Sequence, residues 1–347
     1  MKIGLVVTGL QWIDARRATS DHASTRLRAL LPAGALGRRG HGLLICSDFD
    51  FHRGAVDAHV PDLDVLIVHK VRLDLADRLD RARAAGVAVI VDLCDLVFDH
   101  PVLSNIYPAM LTRAHLVTAA TDVMAEVAAE HVRLPVRVIA DAVEGLRREP
   151  IRADRSAPLR FLWFGRLQNA GPVVEMLPQL AAFPGAAIEI ITDATRPFAR
   201  HVEAATPAGL AFTLTPWSPE AVEAGLERCD LVLLPADPSP SHRVKSANRM
   251  ERALWGGRQV AAMRTRAGET WADLAFVEGD MVSAIRRALE NRSLWPDRIL
   301  AAQKRLVGIR SAPALAVEWE AAAEAARRAA GQSDLPASPL GGPTPPV

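Results

Sequence analysis

Short apolar runs and amphipathic stretches alternate along this chain from its first residues. Residues 3–8 form a β-branched run, residues 24–36 carry apolar positions at helical spacing and stop near Gly37 and Gly40, and residues 42–47 are apolar again. A strand, a helix and a strand with short joins open a parallel sheet. The order continues with strands predicted at 64–69, 87–92, 116–120 and 136–140, helices at 73–85 and 122–131, and a polar and aromatic loop at 94–107. The strands are apolar almost without interruption, which implies a sheet covered on both faces. A second series follows, with strands at 159–165, 187–192, 212–217, 231–234 and 260–263. Its helices end near residues 182 and 227, start after Asn248, and recur at 281–290 and 296–307. Residues 313–330, rich in Ala and Glu, read as a long helix with Pro313 in the first turn, where its missing N–H is harmless.

Between residues 144 and 158 the pattern gives way to charge, with Arg147, Arg148, Glu149, Pro150, Arg152, Asp154 and Arg155. The chain therefore divides into a first domain at 1–145, a linker at 146–158, a second domain at 159–312, a terminal helix at 313–330 returning toward the first domain, and a tail at 331–347. The tail is rich in Pro, Gly and Ser and is expected to be disordered. The predicted fold class is α/β, two Rossmann-like parallel-sheet domains facing across a cleft. In open parallel sheets ligands sit beyond the carboxyl ends of the strands, so the cleft is the expected site.

Composition narrows the function classes. The 347 residues are half hydrophobic, and 41 basic side chains nearly balance 40 acidic ones. That argues against wholesale disorder and against a nucleic-acid partner. Cys46, Cys94 and Cys229 lie in or beside apolar runs without metal-ligand spacing and read as small buried hydrophobes of a reducing compartment. No apolar run reaches the length of a membrane span, and the first one is short for a signal peptide. A cytoplasmic location is expected, with peripheral contact at the inner membrane face left open by the pairs Arg16-Arg17, Arg38-Arg39 and Arg147-Arg148.

The chemistry concentrates in residues 242–262. An apolar strand ending at Pro235 leads to the cationic loop His242-Arg-Val-Lys-Ser-Ala-Asn-Arg249, then to an amphipathic run stopped by Gly256 and Gly257. Ser246 or Asn248 is expected to cap that helix. Lys245 and Arg249 crowd its amino end, where the dipole favours an anion, so a bound phosphate would resolve the mismatch. The turn after the first strand holds one glycine, which weakens a dinucleotide-binding reading. Asp48-Phe-Asp50 has the spacing of a metal and diphosphate motif but reads better as a loop with two solvated aspartates. No metal site is expected.

Lys245-Ser-Ala-Asn-Arg249 with Ala253-Leu-Trp-Gly-Gly257 resembles the donor loop and helix of retaining glycosyltransferases of the GT-B fold, in a bacterial branch reading Lys-Ser-x-Asn-Arg. Leu162-Trp-Phe-Gly-Arg166, Cys229 to Pro235, Val138 to Asp141, and Val91 to Asp95 with Phe98 to His100 match further pieces in order. The resemblance implies a nucleotide-diphosphate sugar bound as donor substrate by the second domain, with no further cofactor. It implies a glycan, lipid-linked or small-molecule acceptor held by the first. Gly165, Arg166, Lys245, Ser246, Asn248, Arg249 and Glu251 are the implied donor contacts, with Arg166 and Lys245 stabilising the departing phosphate. His69 and Asp92 are candidates on the acceptor side, although His69 also reads as a hydrogen-bonded strand-end histidine, and Asp92 and Asp95 as loop caps. Two departures stand out. Leu167-Gln-Asn-Ala170 replaces a stretch where many relatives carry a second phosphate-clamping lysine, and Arg252 falls where relatives place a ribose-binding glutamate, with Glu251 one residue earlier. A nucleotide-sugar-binding protein without transfer, and a nucleotide-sugar epimerase on the same scaffold, are the competing readings.

Overall fold

The computed structural model describes residues 1–14, 17–151, 158–237 and 239–333. Arg16, the linker residues Arg152, Asp154 and Arg155, and the tail beyond Ser333 lie outside the described residues. The first half contains β1 (Lys2–Val7), β2 (Leu10–Trp12), β3 (Ala18–Ser20), β4 (Gly42–Ser47), β5 (Val65–His69), β6 (Ala88–Leu93), β7 (Leu116–Ala119) and β8 (Val136–Val138). The second contains β9 (Arg160–Phe164), β10 (Ala187–Thr192), β11 (Ala211–Pro216), β12 (Leu231–Leu234), β13 (Gln259–Met263) and β14 (Phe276–Glu278). Six strands pair in parallel in the order β4-β1-β5-β6-β7-β8, and six more in the order β11-β10-β9-β12-β13-β14. In each sheet the first strand of its half lies inside, so the order reverses beside it and opens a crevice at the carboxyl ends. Strands β5 and β6 are buried at every position, as continuous apolar runs require.

Several segments depart from the sequence pattern. Residues 48–50 are not a solvated loop. Asp48–His52 is a short helix capped by Ser47, whose Oγ accepts from the Asp50 N–H, and Asp48 is buried, accepting from the Arg72 N–H at 3.1 Å. The loop expected at 94–107 becomes helical from Leu103 to Leu111, burying Tyr107 and Met110 against the first core. The antiparallel hairpin β2–β3, the helix Arg196–Ala205 and the edge strand β14 have no counterpart in the predicted pattern. The terminal helix runs Ala312–Ser333 and so takes in residues 331–333 of the expected tail.

Two crossings tie the halves together. The linker backbone lies along the end of the helix Asn248–Trp255, with Arg148 N–H donating to the Trp255 carbonyl and Ile151 N–H to that of Gly257. The return crossing passes Arg310, whose carbonyl accepts from Val143. Beyond it, Leu315, Ala316, Trp319, Ala322, Ala323 and Ala326 join Ile3, Val7, Leu36 and Ile90 in one cluster on the first sheet. The alanine stripe lets this helix lie close to the helical segment Leu31–Arg38. No helix among the described residues is long and apolar enough to cross a membrane.

Candidate functional site

A cavity of about 430 Å³ lies between the halves, where β5, β6 and β7 of the first sheet and β9 of the second end. The helix Asn248–Trp255 supplies much of its second-half wall. Met250, Ala253 and Leu254 are buried in the second core, and the positions between them divide between two faces. Arg249 and Arg252 line the cavity, and Glu251 does not.

Arg249 is the least compensated charge there. Its guanidinium lies 5.7 Å from the Trp163 ring centroid, and its Nη1 is buried with no hydrogen-bond partner. Burial without a counter-charge pushes its pKa down to about 10. Gly165, at the end of β9, keeps this corner open, because a Cβ there would stand 3.0 Å from Trp163 and 3.4 Å from Arg249 Nη1. Arg166 beside it pairs with Asp193 at 2.8 Å and reaches over Trp217 at 5.7 Å, with Arg26 over the same ring at 5.1 Å.

The loop before the helix is fastened to the first half. Val244 is buried in the first half's core, and its carbonyl accepts from Thr121 Oγ1 at 2.9 Å. Lys245 donates to Asp95 Oδ1, while Lys70 reaches the other oxygen of that carboxylate at 2.6 Å. Burial pushes the Asp95 carboxyl up, but the two lysines outweigh it and hold it below the usual carboxylate range. The cap of the helix is Ala247, and neither expected residue caps it. Instead Ser246 Oγ donates to Asp141 Oδ2 at 2.5 Å and Asn248 Nδ2 to the same oxygen at 3.5 Å, turning both side chains toward a first-half carboxylate.

The remaining predicted residues lie away from the cavity. Glu251 is buried on the other side of its helix and pairs with Arg310 Nε at 3.0 Å, a consequence of the roughly 100° between successive helical positions. Arg252 takes the cavity-facing position and is neutralised by Glu223 at 2.6 Å. Asp92 is also withdrawn. Its carboxylate is buried, grips Arg28 through two bonds of 2.6 and 2.8 Å, and accepts from Thr118 at 2.6 Å and from His69 Nδ1 at 2.6 Å. Every lone pair facing protein is engaged, so Asp92 orients Arg28 and His69 rather than meeting a ligand. His69 is buried too, with Nε2 lacking a partner, and the cavity begins at the next residue, Lys70.

Lys70, Arg72, His22 and Trp217 line the cavity without having been singled out from the sequence, and His242 of the cationic loop and Asn169 of the departing stretch join them. His242 Nε2 donates to Asn169 Oδ1 at 3.0 Å, tying the donor-side loop to the turn after Arg166. The signal available for Lys70 was its place directly after an apolar strand.

No protein-family model and no curated protein matches this sequence. Solved structures match it in fold. One described as trehalose-6-phosphate from E. coli bound with UDP-2-fluoro glucose aligns with a TM-score of 0.66 at 10% identity, covering 93% of this chain and 99% of that one. Anabaena HepE in complex with UDP and glucose gives 0.64 at 12% identity, covering 92% and 98%. The α,α-trehalose 6-phosphate synthase from Burkholderia multivorans gives 0.63 at 10% identity, covering 98% and 99%. The two facing six-stranded parallel sheets are thus a GT-B fold, as the sequence motifs implied.

Proposed function

We propose that this chain is a glycosyltransferase that takes a nucleotide-diphosphate sugar against its second half and passes the sugar, with retention, to an acceptor held by the first. The acceptor classes in view are a glycan, a lipid-linked saccharide and a small molecule. The observation that carries the reading is Arg249, a cation with a buried, unpartnered N–H beside a glycine-opened corner of the interdomain cavity. A diphosphate would supply the missing counter-charge and acceptor atoms. HepE was solved with UDP and glucose in the same fold, which supports a ligand of this type here.

The chemistry follows from where charge develops. Departure of the nucleoside diphosphate places negative charge on its terminal phosphate, and fixed cations there stabilise the transition state more than the ground state. Arg249 and Arg166 are proposed for that role, joined by Lys245 once a phosphate competes with Asp95 for its ammonium. Side-chain cations in this position make a metal ion unnecessary to the proposal. The acceptor proton passes to the leaving phosphate, which removes the need for a separate base. Arg252, held by Glu223, does not reproduce a carboxylate toward ribose. The ribose contact is therefore remade by other groups.

The test is incubation with a panel of nucleotide sugars in the presence of a chelator, following both the donor and its products. Slow donor hydrolysis or transfer supports the proposal. Binding without turnover points to a nucleotide-sugar-binding protein, conversion into another nucleotide sugar points to an epimerase, and absence of binding across the panel overturns all three.

A further inference from the structure

The first-half wall of the cavity carries cations that donor binding leaves unused. Lys70 follows β5 directly with φ of 48°, the one positive-φ residue other than glycine among the described residues. L side chains rarely adopt this backbone, and such positions persist where the surroundings hold them for a purpose. Its ammonium shares Asp95 with Lys245, so two lysines are served by one carboxylate. Arg72, two residues further on, also lines the cavity, and its guanidinium has no ion-pair or hydrogen-bond partner among the described residues. Only its backbone N–H is engaged, by the buried Asp48, which anchors the base of the side chain. His22 lies on the same wall. Burial first, then the charges of Lys70, Arg72 and Arg166, hold its pKa below the ordinary value.

The wall opposite the helix that carries Arg249 thus brings Lys70, Arg72 and His22 together with Asp21, Asp95, Asp141 and Glu144. Asp95 is engaged by Lys70 and Lys245, Asp141 by Ser246 and Glu144 by Arg26, so among the described residues no carboxylate there engages the Arg72 guanidinium. Among the described residues that line the cavity, Arg249 of the second half is buried without a partner, and Arg72 of the first half is exposed with its guanidinium unengaged. An anion on the acceptor would meet a guanidinium that no carboxylate of the wall engages, whereas a neutral hydroxyl would leave it to solvent. Arginine suits a phosphate or carboxylate that it can grip through two N–H groups, and lysine adds a point charge beside it.

We infer that Lys70 and Arg72 form an anion subsite on the acceptor wall, so that the acceptor carries a phosphate or a carboxylate besides the hydroxyl that receives the sugar. This rests on the transferase reading above and names its acceptor class. The donor's diphosphate and the acceptor's anion occupy different walls and are separable by mutation.

The full chain is first saturated with whichever of uridine, guanosine or adenosine diphosphate raises its melting temperature most. Glucose, glucose 6-phosphate, glucuronate and inorganic phosphate are then titrated into that complex by calorimetry. At least one charged probe is expected to bind about tenfold or more tightly than glucose, as a charge-assisted contact implies. Arg72→Ala, and Lys70→Asn, which removes the charge while tolerating the left-handed backbone, should each erase most of that margin and leave nucleoside-diphosphate affinity in place. A response to both phosphate probes assigns a phosphate, and a response to glucuronate alone assigns a carboxylate. Charged probes that bind no better than glucose overturn the inference while the nucleotide shift keeps the transferase reading. The subsite is equally overturned if Arg72→Ala weakens the nucleoside diphosphate as much as Arg249→Met does. Absence of any nucleotide shift removes both.

Discussion

A single side chain, Arg249, concentrates the tension between stability and function. Its buried N–H without an acceptor destabilises the ligand-free protein, and the same deficit is what makes the corner receptive to phosphate. Arg249→Met should therefore raise the melting temperature of the free protein while weakening nucleoside-diphosphate binding by about 1.5–3 kcal/mol. Thermal shift with and without nucleotide reads both effects, and a variant that melts lower with unchanged affinity would remove Arg249 from the site. Asp92 is the opposite case, a charge engaged wholly in structure. Burial pushes its carboxyl up, but the Arg28 charge, with hydrogen bonds from Arg28 and His69, outweighs that and holds it below the usual range. Its folded pKa thus lies under the unfolded value of about 3.9, so the stabilisation is complete above about pH 4 and is lost as pH falls below it. Asp92→Asn should cost about 3 kcal/mol at neutral pH and flatten the loss of stability between about pH 4 and pH 2. Urea titrations across that range test it, and parallel acid limbs in parent and variant would assign the limb to other carboxylates.

At the scale of one element, the helix Asn248–Trp255 sets which residues meet the cleft. Its apolar positions Met250, Ala253 and Leu254 fix the rotation against the second core, and Gln303 Nε2 ties down its far end by donating to the carbonyls of Leu254 and Trp255. With the rotation fixed, Arg249 and Arg252 face the cavity and Glu251 faces Arg310. Glu251→Ala should leave donor affinity unchanged and lower stability by about 3 kcal/mol, because it strands Arg310 beside a buried gap. Loss of donor binding at unchanged stability would show that the helix turns over when nucleotide binds. Gly257 ends this element with φ of 74°, and a Cβ there would collide with the carbonyls of Glu149 and Arg148 in the linker. Gly257→Ala should cost more than the roughly 1–2 kcal/mol of left-handed strain alone. Denaturant midpoints measure it, and a smaller cost would mean that the linker yields.

For the whole molecule, the two halves behave as one body fastened at several points rather than as beads on a linker. Val244 enters the first core from the second half, Asp141 holds Ser246 and Asn248, and the terminal helix lays Trp319 on the first sheet with Arg28 5.7 Å from its ring. Trp319→Ala should cost about 3–5 kcal/mol, a core-sized loss from a residue near the chain's end. A surface-sized loss in the same measurement would show that the helix is an accessory. The fastening also decides the cleft's shape, since Lys245 and Asp95 meet only because both connections bring the sheets face to face.

What the amino-acid order determined by itself is the part that local physics controls. Continuous apolar runs such as residues 87–92 must be central parallel strands, and glycines placed after the amphipathic run at 248–255 must end a helix. The strand before the cationic loop at 242–249 and the helix after it were legible for the same reason. The partners of those charges were decided only by tertiary structure. Ser246 gave up its cap for Asp141, 105 positions away, Asp92 was claimed by Arg28, and Glu251 by Arg310. Lys70 and Arg72 come to line the cavity only through the packing of the folded chain. Each of these pairings is long-range, and a side chain's contact is set by which elements the core brings together rather than by its neighbours along the chain.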